Sequence, residues 1–222
     1  MFWLFRGINP AYADSIPERA LIKGIKVHAQ SYRLSCEARS ASDWAGYWGV
    51  KVSETDFLQR LPRSDNPEEG FVGNPNDAWG AVPPASYGVH AQPVAKLLRQ
   101  IGLPAQARRG MSWREARREI AAGRPVIVWV IGQMWKGTPQ VYRTKNGEKV
   151  TVANFEHTMI LVGYDTKTVQ ALDAYSGQRR VYKLRNFVQS WKVLGNMAVV
   201  YEQGEAGKVE LPFRLNLPLV SR

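Results

Sequence analysis

The spacing of apolar residues changes half-way along the chain, and the change predicts helices first and strands afterwards. After Cys36, apolar residues recur at helical spacing, at Ala41, Trp44, Ala45 and Trp48. From position 125 onward the apolar residues instead form short runs of strand length, beginning with a continuous run at 125–131. This order predicts an α+β fold in which a helical N-terminal half packs on an antiparallel β-sheet from the C-terminal half.

Local start and stop signals place the individual elements. Ser35 is a predicted N-cap ahead of the first helix, and Ser53 and Ser112 begin capping-box patterns for two more helices. The Asn146-Gly147 pair predicts a hairpin turn within 140–152. The other predicted elements are strands at 21–28, 158–164, 169–172, 180–184 and 197–201, and helices at 94–101 and 186–192.

The length and composition predict one domain with two flanking segments. A chain of 222 residues that is 45% hydrophobic can bury one good core. We expect an N-terminal tail at 1–20, a domain at 21–202 and a C-terminal extension at 203–222. Residues 62–89 are rich in Pro, Gly and Asn but carry Phe71, Trp79 and Tyr87, so they predict a folded cleft wall rather than a linker.

The first residues leave two interpretations of where the protein works. Phe2–Phe5 is apolar, and Ala11-Tyr12-Ala13 resembles a signal-peptidase site, which favours an extracytoplasmic or secreted protein. The apolar part is shorter than that of a working signal peptide, so an ordinary apolar N-terminus on a cytoplasmic protein is the alternative. No stretch of the sequence reaches transmembrane length.

Charge and cysteine content exclude several classes of function. The formal net charge is +11, which attracts polyanions such as an anionic cell-surface polymer. The basic residues are spread out and form no nucleic-acid motif, so no specific nucleic-acid site is predicted. One cysteine and three histidines without metal-binding spacing predict no disulfide, no metal site and no cofactor.

The single cysteine is the candidate nucleophile. Its predicted position in the first turn of a helix would favour the thiolate, because unpaired backbone N–H groups and the helix dipole stabilise negative charge there. For an isolated cysteine, a small buried hydrophobic role is the ordinary alternative. The choice therefore depends on whether Cys36 has partners.

Three further residues could complete a catalytic set. His157 precedes a predicted strand and Asp173 ends the next one, so a hairpin would place both at one end of the sheet. Asp173 could then orient His157 as the base, and Gln30 could supply an oxyanion donor together with the Cys36 N–H. Each residue alone is more often structural. The other histidines are weaker candidates, because His28 lies in the lead-in strand and His90 opens a helix with no acid positioned to orient it.

Four segments in this order resemble a known family: "QSYRLSCEA" around Cys36, "FEHTMILVGYD" around His157, "VQALDAYSG" around Asp173 and "FVQSWKVLGNMAVVY" near the end. Together they resemble the bacteriocin-processing (double-glycine leader) type of papain-like cysteine peptidase, in its stand-alone bacterial branch. The resemblance covers about residues 22–202. It implies a papain-like fold, with Cys36 as nucleophile, His157 as base, Asp173 as orienting residue and Gln30 in the oxyanion hole.

The resulting hypothesis is a cysteine peptidase acting on a peptide or protein through a Cys36 thioester. Candidate residues for the substrate cleft are Trp79, Tyr87, Trp135 and Glu156. A transferase would use the same catalytic residues, because fold does not fix the substrate. A non-catalytic module that binds peptide or cell-wall polymer on the same fold is the alternative.

Overall fold

The computed structural model describes residues 16–202, which form five α-helices and nine β-strands. The helices are α1 Cys36–Tyr47, α2 Glu54–Arg60, α3 Ala91–Gln100, α4 Trp113–Ala121 and α5 Leu184–Lys192. The strands are β1 Ala20–Leu21, β2 Ala105–Arg108, β3 Val126–Ile131, β4 Gln140–Arg143, β5 Lys149–Val152, β6 Glu156–Tyr164, β7 Thr168–Asp173, β8 Gln178–Lys183 and β9 Ala198–Tyr201.

Seven of these strands form one antiparallel sheet. Its order is β2-β9-β3-β6-β7-β8, and β1 pairs with the far end of β6. The hairpin β4-β5 forms a separate two-stranded sheet, with the predicted turn at its tip. The predicted α+β arrangement, with the helical N-terminal half packed on an antiparallel sheet, is confirmed.

The centre of the sheet is the core of the molecule. Every residue of β3 and of β6 is buried, which explains why β3 is apolar throughout rather than alternating. Helix α1 packs on β6, where Ser40 Oγ lies 3.1 Å from Thr158 Oγ1, and Trp44 Nε1 donates to the carbonyl of Pro125. The start of α1 is therefore anchored directly against the strand that carries His157.

The loop before α1 is held by a buried carboxylate. Ser35 does precede the helix, but its hydroxyl makes no capping bond and instead donates to Glu54 Oε1 at 2.5 Å. Glu54 also accepts from the backbone N–H of Ser31 at 2.8 Å. By contrast, the predicted caps at Ser53 and Ser112 accept from backbone N–H groups as expected. Glu54 thus holds in place the loop that positions Cys36 against the sheet.

One predicted strand is shorter than expected and one observed strand was not predicted, and tertiary contacts explain both differences. The strand expected at 21–28 is limited to Ala20–Leu21, because Gly24 adopts a φ of +86° and turns the chain away from β6 after Ile22. Strand β2 was not predicted, since its sequence Ala-Gln-Ala-Arg has little strand propensity. It exists because it pairs in register with β9 at the sheet edge.

The flanking segments lie mostly beyond this part of the chain. The signal-peptidase-like site at 11–13 and the extension at 203–222 are outside the described residues. Of the expected tail, residues 16–20 are described, and Pro17 accepts hydrogen bonds from Tyr164 and Arg117. Within residues 16–202 no helix is both long enough and apolar enough to cross a membrane.

Candidate active site

Cys36 is the first residue of α1, and its thiol is buried against β6. The side chain is 4% exposed. Its Sγ donates a hydrogen bond to Glu37 Oε2 at 3.3 Å and interacts with both the side chain and the backbone of Thr158. The carboxyl group of Glu156 completes the surroundings, because the ligand atoms of Cys36, Glu37 and Glu156 all lie within 4.8 Å of one another.

The expected activation of Cys36 is absent from this conformation. Burial raises the pKa of the Cys36 thiol well above its ordinary value, and the charges of Glu37 and Glu156 raise it further. Hydrogen bonding to Thr158 lowers the pKa only in part. The predicted thiolate is therefore not favoured in this state, since desolvation and two nearby carboxyl groups both favour the neutral thiol.

The two carboxyl groups beside the thiol are themselves buried. Burial raises the pKa of Glu37 to about 7, even though its Oε1 accepts a 2.6 Å hydrogen bond from the N–H of Val89. Burial, and then the charge of Glu37, raises the pKa of Glu156 well above its usual range. The Oε1 atom of Glu156 is buried without a hydrogen-bond partner. Near neutral pH this cluster therefore holds protons.

His157 and Asp173 meet as the hairpin argument predicted. Strands β6 and β7 pair with Met159 opposite Asp173, and His157 Nε2 lies 2.7 Å from Asp173 Oδ1. Asp173 also accepts from the N–H of Tyr175 and from Ser176 Oγ. Burial opposes ionisation of Asp173, but its hydrogen bond with His157 and the other contacts lower its pKa. The imidazole is thus fixed through one nitrogen, leaving Nδ1 to face a reacting group.

The other two histidines are also paired with carboxylates, although no orienting acid was expected for His90. His28 Nδ1 lies 2.7 Å from Asp43, and His90 Nδ1 is bonded to Glu68. His90 is fully buried, and burial lowers its pKa despite the neighbouring carboxylate. An orienting acid therefore does not single out His157. The position of His157 does single it out, because it lies on β6 between Glu156 and Thr158, which are both next to the Cys36 thiol.

Cys36 and His157 are not joined in this state. Among residues 16–202, no hydrogen bond or ion pair connects the thiol to the imidazole, since the thiol is turned toward Glu37 and Thr158. A change of the Cys36 rotamer would be needed to pair the two groups. The structure therefore shows His157 paired with Asp173, and the Cys36 thiol held by other partners.

The side chain of Gln30 forms hydrogen bonds with nearby residues in the chain. Its Nε2 donates to the carbonyls of Tyr32 at 2.7 Å and Arg33 at 3.0 Å, so the side chain braces the loop that leads into α1. Its backbone N–H donates to the carbonyl of Ala174, next to Asp173. Gln30 is thus tied to both halves of the site, but its amide hydrogens are occupied.

Aromatic rings cover His157 from the solvent side. The Trp79 ring lies 6.0 Å from the imidazole, and its Nε1 donates to the backbone carbonyl of Glu156 at 2.7 Å. Three rings surround Trp79 at centroid distances of 5.2 to 6.0 Å: Trp135, Phe155 and Tyr175. All three are exposed, by 46%, 41% and 59% respectively. We call these four rings the aromatic cover.

The four residues expected to line a cleft occupy different places. Trp79 and Trp135 belong to the aromatic cover, 5.8 Å apart. Tyr87 is 3% exposed, packs in a small cluster with Val72, and lies 3.2 Å from His90 through its hydroxyl. Glu156 is buried beside the thiol rather than in a cleft wall. Sequence reasoning missed Glu37, although an acid adjoins each of Cys36 and His157 in the chain.

Comparison with known proteins places this architecture in a family. Residues 22–199 match the sequence profile of the peptidase C39-like family. The chain belongs to this family. The match spans β6 and β7 and the start of α1, so the Cys36 cluster and the His157–Asp173 pair both lie inside the C39-like domain.

Individual relatives agree with that assignment. The chain is 28% identical over 182 residues to the uncharacterized protein YvpB of Bacillus subtilis (strain 168), covering 76% of this chain and 69% of that protein. A crystal structure of a Bacillus anthracis protein classed as a C39-like peptidase superposes with a TM-score of 0.74 at 24% identity. That match covers 85% of this chain and 99% of the other, and confirms the predicted papain-like fold.

The buried acids generate a prediction about stability against pH. The folded-state pKa of Glu37, about 7, lies above the ordinary value of 4.5, so the folded protein binds more protons than the unfolded chain between these values. The stability that Glu37 contributes is present below pH 4.5 and is lost as the pH rises through 7. This loss amounts to about 3 kcal/mol for an isolated group.

We expect Glu37→Gln to flatten the decline of unfolding free energy between pH 5 and 8, measured by denaturant titration in metal-free buffer. Glu69→Gln, at an exposed carboxyl group, is the matched control and should keep the wild-type slope. An unchanged slope in Glu37→Gln would contradict the assignment of a raised pKa to this residue.

Proposed function

We propose that the protein is a cysteine peptidase in which Cys36 is the nucleophile and His157 the general base. The observation that carries this proposal is the His157–Asp173 hydrogen bond on β6 and β7, next to the helix that begins with the single cysteine. Membership of the C39-like family supports it. Asp173 holds the imidazole in one orientation, and the Cys36 N–H supplies a donor to the oxyanion hole. Gln30 joins it as the second donor once its Nε2 releases the carbonyls of Tyr32 and Arg33.

The proposed reaction starts with a rotation of the Cys36 side chain away from Glu37. His157 Nδ1 then takes the thiol proton, and the thiolate attacks the peptide carbonyl to give a tetrahedral oxyanion. The oxyanion collapses to a thioester while His157 returns the proton to the departing amine. Water, deprotonated by His157, cleaves the thioester and restores the thiol. The N–H of Cys36, in the first helical turn, has no intrahelical acceptor and can donate to the oxyanion.

The aromatic cover is the proposed entrance for the peptide. Its Trp79 ring lies 6.0 Å from His157, and the three rings around Trp79 are exposed although each is large. Exposed aromatic side chains beside a buried base can hold apolar parts of a peptide near the imidazole. His157 is 3% exposed, so the aromatic cover must shift for a substrate to reach it.

A non-catalytic module that binds peptide or anionic cell-wall polymer is the second candidate. The raised pKa of Cys36 and its lack of a bond to His157 favour this alternative, because an inactive thiol would tolerate both. The His157–Asp173 pair has no evident use in a binding module. Peptide turnover and thiol reactivity separate the two candidates.

Substitutions in the catalytic set should have graded effects on kcat/KM for a fluorogenic peptide. Cys36→Ala should abolish turnover, and His157→Gln should lower it on the order of 10⁶-fold, since the base is lost. Asp173→Asn should cost on the order of 10⁴-fold, because the imidazole stays but is poorly oriented. Asp165→Asn, in the turn between β6 and β7, is the matched control and should leave turnover unchanged. Turnover that survives Cys36→Ala would rule the proposal out.

The reactivity of the thiol tests the alternative directly. With one cysteine, iodoacetamide labelling reports Cys36 alone. We expect labelling at pH 7 to be slow, because of the raised pKa, and several-fold slower still in His157→Gln, because open conformers lose their base. His28→Gln is the control at an exposed histidine and should label like the wild type. Equal rates in all three proteins would favour the binding module.

The aromatic cover predicts a change in substrate affinity rather than in chemistry. Trp135→Ala and Tyr175→Ala should each raise KM about tenfold with little change in kcat, since they remove exposed contact area near His157. Val181→Ala, at an exposed apolar residue of β8, is the control and should match the wild type. A loss confined to kcat would instead place these rings in the catalytic step.

A further inference from the structure

The cluster of Cys36, Glu37 and Glu156 has the composition and shape of a small metal site. One atom from each residue lies within 4.8 Å of the other two, and the side chains are 4%, 1% and 3% exposed. The backbone of Gly88 leaves room for the two carboxyl groups. A Cβ at that position would lie 2.2 Å from Glu37 Oε1 and 3.4 Å from Glu156 Oε2, and its φ is +122°.

The cluster has acidic groups and no cation. Among residues 16–202, no Lys, Arg or His forms a hydrogen bond or ion pair with these three side chains. Because a buried negative charge is costly without a partner, these groups must be neutralised by protons or by a bound cation.

One carboxylate oxygen of the cluster has no hydrogen-bond partner and could bind such a cation. Glu156 Oε1 is buried and has no hydrogen-bond partner, although its carboxyl group faces the thiol and Glu37. A buried oxygen of this kind ordinarily finds a donor, so a lone pair without one indicates a site for a group other than a protein donor. Thr158, which bonds the thiol, and Val89, which donates to Glu37, hold the other two ligands in place.

The ligand types select the class of metal. A thiolate with two carboxylates suits Zn²⁺ and similar borderline ions, whereas Mg²⁺ and Ca²⁺ prefer oxygen ligands alone. Zinc bonds of about 2.3 Å to sulfur and about 2.1 Å to oxygen require ligand atoms roughly 3.5 Å apart in a tetrahedron. The three ligand atoms lie within 4.8 Å of one another, so they would move somewhat closer together around a bound ion.

We propose that Cys36, Glu37 and Glu156 bind a zinc-class divalent ion in competition with protons. Binding releases the protons of the thiol and of the carboxyl groups to solvent, while the metal accepts a sulfur and two oxygen lone pairs. Since Cys36 is a ligand, the metal-bound protein has no free nucleophile. This inhibitory consequence rests on the proposed peptidase function, whereas the metal site itself does not.

The test is metal titration of the full chain after removal of metal with a chelator. Co²⁺ or Cd²⁺ should produce a thiolate-to-metal charge-transfer band that saturates at one equivalent, and Zn²⁺ should displace it. The apparent affinity should rise with pH, because protons compete for the same atoms. Cys36→Ser should remove the band, and Glu37→Gln and Glu156→Gln should each weaken binding at least tenfold.

Glu69→Gln is the matched control and should bind like the wild type, and circular dichroism confirms that each variant is folded. No saturable band, or unchanged affinity in both glutamine variants, would overturn the proposal and show that protons alone neutralise the cluster. The peptidase assay is run separately on metal-free protein. Metal binding without turnover would then count against the proposed function while leaving the metal site intact.

Discussion

The position of strand β6 in the middle of the sheet is the constraint on which the rest of the site depends. It pairs with β3 on one side and β7 on the other, and all nine of its residues are buried. Such a strand cannot slip in register, since a shift of one residue would exchange its two faces within the core. Glu156, His157 and Thr158 are therefore held at fixed places, and α1 and β7 bring their partners to them.

This constraint yields two adjacent chemical units. On β7, Asp173 meets His157 in a buried hydrogen bond that orients the imidazole. At the start of α1, Cys36 meets Glu37 and Glu156 instead of the imidazole. The His157–Asp173 pair is thus in place while the thiol lies apart from it. Burial, together with the two carboxyl groups, favours the protonated form of the thiol.

The two proposed roles of Cys36 use different directions of the same side chain. A rotation of Cys36 toward His157 would use the thiol as a nucleophile, and its present direction toward the carboxyl groups would use it as a ligand. One side chain cannot do both at once. In the proposed peptidase reaction the thiol would therefore leave the carboxyl cluster, whereas in the proposed metal site it would stay there.

The sequence by itself determined the features that depend on local order in the chain. Helical periodicity after Cys36 fixed the start of α1, and the short turn between two apolar runs was enough to bring His157 and Asp173 together. Tertiary structure decided what depends on residues far apart. Gly24 ended β1 early, and Glu54 took the Ser35 hydroxyl that local rules assign to a helix cap. The N–H of Val89 came to bind Glu37, and Glu156 came to lie beside the thiol. The acidity of Cys36 followed those long-range contacts, because burial and neighbouring charge exist only once the chain has folded.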